Sequence, residues 1–446
     1  MTCHSQDILL SLHSIIDSLP QRPEFNSLIY DPVKNFIRES KFGFSNTIHF
    51  LFSAGPSTLK NELKSYSQVT ESTVTPSAIV QSRTKIKPAL FRFIFNQFNQ
   101  NYSCDKTYKS YQLIAVDGSK SNIPYNPKDS SSLHLGKPKV NGEPGKGYNQ
   151  VHLSTSFDIL NNRFLDCIIK DITLYNEIYE MKELVDRYSG PPAIFIADRG
   201  FESSNLIEHL RKNTKFILRV KDIDSCTTGL MKGLIFPNDE FDVYYQLIFT
   251  NYNRKEYQQQ KSLYKIILNN QKFDFLDDQN HFYETTWRIV RFKLEDSYET
   301  IVTNLDRNEF DCSEIKHLYN LRWKTETAYR YLKHDFNLTH FISRKKDFIL
   351  QEIWVKLTLY NLSSIITNLL EDARKEKKKK KYIHKINFSN AAHLITHSIK
   401  LIKRKGGMPP DLDAQIINDT SPVRESRRYK RIPHPQSYSA SNYRAY

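Results

Sequence analysis

Three acidic residues, Asp117, Asp198 and Glu326, stand at positions from which their carboxylates could act together on one substrate. Asp117 and Asp198 each follow a short apolar run, in LIAVD and AIFIAD, and such runs predict buried strands. Converging carboxylates repel one another unless hard cations lie between them, and Mg²⁺ prefers oxygen ligands of this kind. Two such ions activate a water or hydroxyl and neutralise a leaving oxygen at phosphorus. The acidic residues therefore predict metal-dependent phosphoryl transfer.

The segment YNLRWKTETAYRYLK, residues 319–333, predicts the helix that carries Glu326. At about 100° per residue, four polar side chains fall on an arc of roughly 60°: Tyr319, Arg322, Glu326 and Lys333. The apolar residues Leu321, Ala328 and Leu332 fall on another face, which predicts packing there. Taken alone, the polar stripe favours a solvated helix face with ion pairs, so the rest of the chain must decide its role.

The elements around these residues change in character along the chain. Residues 1–105 have helical apolar spacing, residues 106–221 alternate strand and helix signals with a hairpin at Asn161 and Asn162, and residues 222–305 are aromatic and β-rich. Residues 306–372 hold the helix that ends near Lys333 and a second, more apolar helix. Residues 373–446 are basic, with little predicted capacity to form a core. The pattern predicts an α/β protein preceded by a helical domain and containing a β-rich insertion.

The first 105 residues include a candidate DNA-reading helix. Thr75 is the predicted N-cap, Pro76 the first helical residue and Pro88 the end of the segment. Three side chains in it suit base or phosphate contacts: Gln81, Arg83 and Lys85. A helix-turn-helix-like reader and a small helical domain with solvated basic side chains are equally favoured.

The formal net charge of +15, from 64 Lys plus Arg against 49 Asp plus Glu, favours a polyanionic partner. No apolar run approaches the roughly 18 to 20 residues that cross a bilayer, and the N-terminus lacks the features of a secretion signal, so a cytosolic protein is expected. The five scattered cysteines and the lone pair His393 and His397 indicate neither a disulfide framework nor a structural zinc site.

The motifs together resemble one known family. AVDGSK with Asp117, IADRGF with Asp198, and the Tyr-x2-Arg-x3-Glu-x6-Lys spacing of residues 319–333 are similar to the DDE transposases of bacterial insertion sequences, in the subgroup with the Tyr-Arg-Glu-Lys signature. The resemblance covers nearly the whole chain. It implies a helical terminal-repeat-binding domain (1–105), a ribonuclease H-like catalytic core (106–221 and 306–372), a β-rich insertion (222–305) and a basic C-terminal region (373–446).

The resemblance also implies roles for single residues. Asp117, Asp198 and Glu326 would hold two divalent metal ions, Mg²⁺ in the cell with Mn²⁺ able to substitute. Three further residues would grip the terminal DNA phosphates: Tyr319, Arg322 and Lys333. Some members stack a flipped base on an aromatic residue of the insertion, for which Trp287 and Tyr298 are the candidates; a packed strand residue is the alternative for both.

The implied activity is cleavage of terminal inverted repeats and joining of the 3′-hydroxyl ends to double-stranded target DNA. The implied setting is a homodimer in the end complex, cytoplasmic and nucleoid-associated in a bacterium, with no membrane. The alternative is a DNA-binding protein that no longer catalyses, such as a domesticated repressor or an inhibitor. A ribonuclease or junction nuclease with the same core is a third possibility, although it lacks an obvious need for the long insertion.

Overall fold

The computed structural model of the protein describes residues 5–38, 42–55, 57–70, 73–136, 142, 145–225, 228–268, 270–294, 297–374, 382–402 and 411–423. Parts of the predicted basic C-terminal region (373–446), namely residues 375–381, 403–410 and 424–446, lie outside these ranges. Within them, no helix is both long and apolar enough to span a bilayer.

In the described part of residues 1–105, six α-helices precede the first strand, as the helical spacing predicts. They are α1 (Ser5–Ser18), α2 (Phe25–Leu28), α3 (Phe44–Ser53), α4 (Leu59–Thr70), α5 (Pro76–Thr84) and α6 (Pro88–Gln100). Thr75 caps α5 by accepting a hydrogen bond from the Ala78 N–H, so the predicted start of that helix is confirmed. Pro88 does not close the segment but begins α6, where its missing N–H costs no helical hydrogen bond.

The middle of the chain builds one large mixed sheet. Its elements are β1 (Gln112–Ile123), β2 (Leu133–Gly136), β3 (Gly145–Asp158), β4 (Arg163–Asp171), α7 (Glu177–Arg187), β5 (Ala193–Ala197), α8 (Ser204–Asn213), β6 (Lys215–Val220), β7 (Phe241–Thr250), α9 (Lys255–Gln259), β8 (Tyr264–Ile266), β9 (Phe282–Lys293) and β10 (Tyr298–Thr303). The strand order is β2-β3-β1-β5-β6-β10-β9-β7-β8, with β4 also paired to β3. The predicted α/β class and the hairpin at Asn161 and Asn162, which joins β3 to β4, are confirmed.

The predicted β-rich segment 222–305 extends this sheet rather than forming a sheet of its own. β10 pairs antiparallel with β6, with Val302 opposite Leu218, and β9 and β7 continue outward from β10. The sheet is continuous here because the backbone of β10 from Thr300 to Thr303 pairs with the backbone of β6. The domain boundaries at residues 221 and 305 therefore stay predictions.

The two faces of the sheet pack against different helices. Leu113 and Ala115 of β1 belong to an apolar cluster shared with the N-terminal helices, whereas Ile114 and Val116 belong to a cluster shared with α7 and α8. Alternate residues of a strand point to opposite faces, so both faces of β1 are covered. This double burial explains why its first half reads as a continuous apolar run.

The sheet is followed first by α10 (Cys312–Leu321), α11 (Trp323–His334) and α12 (Lys346–Ala373). The single helix predicted from residue 312 to Lys333 is thus interrupted at Arg322, where the backbone N–H donates to the carbonyl of Tyr319 in a tighter turn. The second, more apolar helix is confirmed as α12, which is buried along most of its length.

The C-terminal region contributes to the core, which the prediction for residues 373–446 missed. It contains β11 (His384–Ile386), α13 (Phe388–Leu401), α14 (Leu412–Asn418) and β12 (Thr420–Pro422). Ala391, Ile395 and Ile399 of α13 are buried in the same apolar cluster as α12. The Lys-rich composition of the region hid this short amphipathic helix.

Candidate active site

Asp117 and Asp198 lie side by side because of the register between β1 and β5. The two strands run parallel and pair Val116 with Ala197, so the next residue on each strand is an aspartate. The sequence predicts that the strand ends at Asp117, and this prediction is wrong. β1 continues to Ile123 because it keeps its antiparallel hydrogen bonds to β3, where Asp117 faces Thr155.

Glu326 reaches the same place from α11, which Tyr329 fastens to the sheet. The buried Tyr329 hydroxyl donates to the carbonyl oxygen of Asp117 at 2.9 Å and lies 2.7 Å from Oγ1 of Thr155. Tyr329 follows Glu326 by one helical turn, so its anchorage sets the position of Glu326 over β1. Sequence reasoning missed Tyr329. Its place beside Ala328 and Leu332 on the packing face was the available signal.

Arg322 lies among all three carboxylates. Its Nη1 is 3.8 Å from Oδ2 of Asp117, and its Nη2 is 3.8 Å from Oδ2 of Asp198 and 3.6 Å from Oε1 of Glu326. The Arg322 side chain is only 3% exposed, whereas the three carboxylates are partly open to solvent. The buried Arg322 guanidinium therefore partly neutralises three acids that come from separate elements of the fold.

The electrostatics of the three acids are set by burial and by this cation. The pKa of Asp117 is raised to about 6, mainly by burial and also by the charges of Glu326 and Asp198. The charge of Arg322 and the hydrogen bond from the Gly118 N–H act in the opposite direction and lower this pKa. Oδ1 of Asp198 is buried and has no hydrogen-bond partner among the described residues. A buried acceptor left in this state costs about 1–3 kcal/mol, so that oxygen suits an added cation or donor.

A fourth carboxylate, which the sequence did not single out, lines the cavity beside Asp117 and Asp198. It belongs to Glu177 at the start of α7, and Nε2 of the buried His152 lies 2.9 Å from its Oε1. Burial alone lowers the pKa of His152, but hydrogen bonds to Glu177 and Glu180 outweigh it and raise the pKa. The cavity wall also contains Arg199 and Lys221, two cations on the strand-end loops.

Tyr319 and Lys333, the other two residues of the polar stripe, lie at different depths. Tyr319 is buried, its ring lies under the Arg322 guanidinium at 5.6 Å, and its hydroxyl has no hydrogen-bond partner among the described residues. Lys333 is half-buried; burial lowers its pKa, opposed by the charge of Asp117. In this conformation the Tyr319 ring packs against the Arg322 guanidinium, and the Lys333 ammonium is close enough to Asp117 to interact with its charge.

The three candidate DNA-reading residues of the N-terminal helices separate in the structure. Arg83 is buried and its guanidinium binds Glu352 at 3.2 Å and Gln351 at 3.1 Å on α12. It therefore fastens α5 to α12 and is not available to DNA in this conformation. Gln81 is exposed and Lys85 is half-exposed, and both line a shallow cleft.

The two aromatic candidates for base stacking are both held by protein contacts. Trp287 on β9 is buried, and its Nε1 donates to Oε1 of the fully buried Glu208 at 2.6 Å. Tyr298 on β10 is half-buried, donates to Asp239 at 2.9 Å and lies over the Arg291 guanidinium at 3.8 Å. Trp287 is thus a packed strand residue here, because its ring is buried and its indole N–H is hydrogen-bonded to Glu208.

Comparison with known proteins gives a family and distant likenesses to solved structures. The family described as "Transposase DDE domain" matches residues 108–362, more than half of the chain. The chain is also similar to a solved structure of the piggyBac transposase synaptic complex with hairpin DNA, with 12% identity, a TM-score of 0.43 and coverage of 93% of this chain and 82% of that one. No curated protein matches.

Proposed function

This chain belongs to the DDE transposase family, and from that membership we propose that it cuts the ends of a transposable element and joins the 3′-hydroxyl ends to target DNA. The observation that carries the proposal is the convergence of Asp117, Asp198 and Glu326 on one small volume around Arg322. We place the element among bacterial insertion sequences and the chain in the subgroup with the Tyr-Arg-Glu-Lys signature, because residues 319–333 match its spacing.

The donor set fits divalent metal ions. All three converging groups are carboxylates, which are the oxygen ligands that Mg²⁺ and Mn²⁺ prefer, and Oδ1 of Asp198 is a buried acceptor in need of a partner. Asp117, Asp198 and Glu326 would hold the ions. When bound, two such ions supply an activated nucleophile and neutralise the leaving oxygen at phosphorus.

The residues of the chain itself would bind and orient the DNA strand at these acids. Arg199 and Lys221 present cations on the cavity wall, and Lys333 adds a third close to Asp117. Each suits a phosphate oxygen flanking the scissile bond. Arg322 lies within 3.8 Å of all three acids, so it would be released to contact a phosphate if bound metal ions neutralised the carboxylates.

The DNA partner would be engaged by more than the active site. The net charge of +15 favours a polyanion, and the N-terminal helices present Gln81 and Lys85 at an open cleft. We propose that residues 1–105 bind the terminal inverted repeats, that the ribonuclease H-like core comprises 106–221 and 306–372, and that two copies pair the two ends in a homodimer.

The test is cleavage of a DNA fragment bearing the element's ends by the purified full chain with Mg²⁺ or Mn²⁺. Asp117→Asn, Asp198→Asn and Glu326→Gln should each abolish cleavage and strand transfer while end binding in a mobility-shift assay persists. Asp278→Asn is the matched control, because this acid is exposed and lies in the loop before β9. Cleavage retained by any of the three variants would overturn the assignment. Specific end binding by the unaltered chain without cleavage under either ion would favour a catalytically silent DNA-binding protein.

A further inference from the structure

A second cluster of metal-ligating side chains lies in the N-terminal helices, away from the three acids. His13 and Asp17 are one turn apart on α1, and His49 comes from α3. Nδ1 of His13 is 3.0 Å from Oδ2 of Asp17, and Nε2 of His49 is 3.0 Å from Oδ1 of Asp17. Among the residues that the structure describes, this is the one group of three or more His, Cys, Asp or Glu whose ligand atoms lie within 4.8 Å of one another.

The spacing of these atoms suits a transition-metal ion. Ligands at about 2.0–2.1 Å from a tetrahedral zinc ion lie about 3.3 Å from each other. The two imidazoles meet different oxygens of Asp17, and one ligand atom from each of the three residues lies within 4.8 Å of the others, so the side chains would close in on the ion when it binds. The two imidazole rings lie side by side with their centroids 4.2 Å apart and tilted by 36°. Two nitrogens and one carboxylate oxygen form a donor set that suits Zn²⁺ or Co²⁺ better than Mg²⁺.

The exposure of the three side chains is graded in the way that an open coordination site requires. The side chain of His49 is 4% exposed, that of His13 is 19% exposed and that of Asp17 is 41% exposed. An ion would therefore rest on a buried imidazole and keep its remaining position toward solvent.

A neighbouring buried phenol is a second observation on the same cluster. Tyr66 on α4 is buried, and its hydroxyl has no hydrogen-bond partner within the described part of the chain. Its ring meets the ring of Phe50, the residue that follows His49 on α3, with the centroids 5.6 Å apart. An unpartnered buried hydroxyl therefore lies on a side chain packed against the helix that supplies His49.

We propose that His13, Asp17 and His49 bind one Zn²⁺-class ion that links α1 to α3. The ligand atoms are Nδ1 of His13, one carboxylate oxygen of Asp17 and Nε2 of His49, and solvent completes the coordination. His13 and His49 are 36 positions apart in the chain, so the ion would cross-link α1 to α3 and stabilise the N-terminal helices independently of the acids of the catalytic site.

The experiment uses the tag-free full chain carrying Asp117→Asn, Asp198→Asn and Glu326→Gln, so that ions cannot report on the other acidic site. After chelator treatment, Zn²⁺ binding is measured by calorimetry, and Co²⁺ binding by its visible absorption spectrum. One ion per chain, a tetrahedral-type Co²⁺ spectrum and a higher Tm with Zn²⁺ are expected. Adding His13→Gln or His49→Gln should weaken binding by more than about 100-fold, beyond the effect of losing an outer partner.

The matched control replaces His393 and His397, a histidine pair four residues apart that lies exposed on α13. His393→Gln with His397→Gln should leave the stoichiometry and spectrum unchanged. Because His49 is buried, far-UV circular dichroism must first show that the His49→Gln variant is folded. His13 is more exposed, so His13→Gln is the variant expected to disturb the fold least. Absence of Zn²⁺ binding in the folded background chain, or binding that survives both His13→Gln and His49→Gln, would overturn the proposal and leave a hydrogen-bond network only.

Discussion

Nη1 of Arg322 lies 3.8 Å from Oδ2 of Asp117, which joins the break between α10 and α11 to the middle of β1. The same guanidinium approaches Asp198 and Glu326 at 3.8 and 3.6 Å. A residue whose spacing suggested a phosphate contact therefore serves, in this conformation, as the shared counter-ion of three acids. This arrangement makes the stability of the fold depend on the charge balance of the site.

Arg322→Gln should lower the free energy of unfolding by about 3–5 kcal/mol in chelator, because it leaves three carboxylates without their buried cation. Mg²⁺ should restore part of the loss, and it should stabilise this variant more than the unaltered chain. Urea unfolding with EDTA and with Mg²⁺ measures both effects. Arg330→Gln, an exposed change on the same helix, is the control and should stay within about 0.5 kcal/mol. Equal stability of the two variants would contradict the counter-ion role.

The sequence allowed the three acids to be predicted because strand signals and helical spacing are local. Asp117 and Asp198 follow apolar runs, and the register of two parallel strands then places them together. The burial of Arg322 could not be predicted in this way, since a helical wheel shows which face of a helix a side chain occupies but not how far that side chain is buried. The burial of Arg83 was unforeseen for a related reason: its partner Glu352 is 269 positions away in the chain. Long-range pairing of this kind leaves no local pattern.

Glu180→Gln should lower the pKa of His152, because burial disfavours the charged imidazole and Glu180 is one of two carboxylates that outweigh it. Titration of the His152 ring protons by NMR measures the shift. Glu183→Gln on the same helix, where Glu183 pairs with Arg187, should leave this pKa unchanged.

The same raised pKa of His152 gives a direction for stability against pH. The folded pKa lies above the usual value of 6.5, so the contribution of His152 is fully present below about pH 6.5 and is lost as the pH rises through the folded pKa. Glu180→Gln should flatten this part of the stability curve measured by urea unfolding. An unchanged curve would show that the pair with Glu180 does not stabilise the fold.

Gly118→Ala should destabilise the chain by about 1–3 kcal/mol through overpacking. A Cβ at this position would lie 2.7 Å from Oε1 of Glu177 and 2.7 Å from Nε2 of the buried His152. Gly200→Ala tests the same cavity without the clash, since its nearest neighbour would be Oε2 of Glu177 at 3.8 Å. Thermal unfolding should separate the two variants. Equal Tm values would mean that the imidazole moves aside at little cost.

Arg83→Ala should cost about 3–5 kcal/mol of stability, because Glu352 would stay buried without its cation. Lys85→Ala, two residues later, removes a half-exposed cation that lies 5.5 Å over the Phe36 ring, and should cost no more than about 1 kcal/mol. Urea unfolding of both variants, with end binding measured at a temperature where both are folded, distinguishes the roles. Unchanged stability with lost end binding in Arg83→Ala would restore the DNA-reading interpretation.

Trp287→Phe should destabilise the chain by about 1–3 kcal/mol, because Glu208 is fully buried and would lose the indole donor at 2.6 Å. Three other donors would remain on its carboxylate, from Tyr283, Thr285 and Arg211, so the chain should still fold. Tyr298→Phe is the comparison, since it removes one hydroxyl that donates to the exposed Asp239, and it should destabilise the chain less than Trp287→Phe does. Urea unfolding ranks the two variants, and cleavage assays below both transitions test the aromatic roles. If Trp287→Phe leaves stability intact but blocks processing of the DNA ends, the indole moves out of the core to stack on a base. The packed arrangement would then be the conformation without DNA.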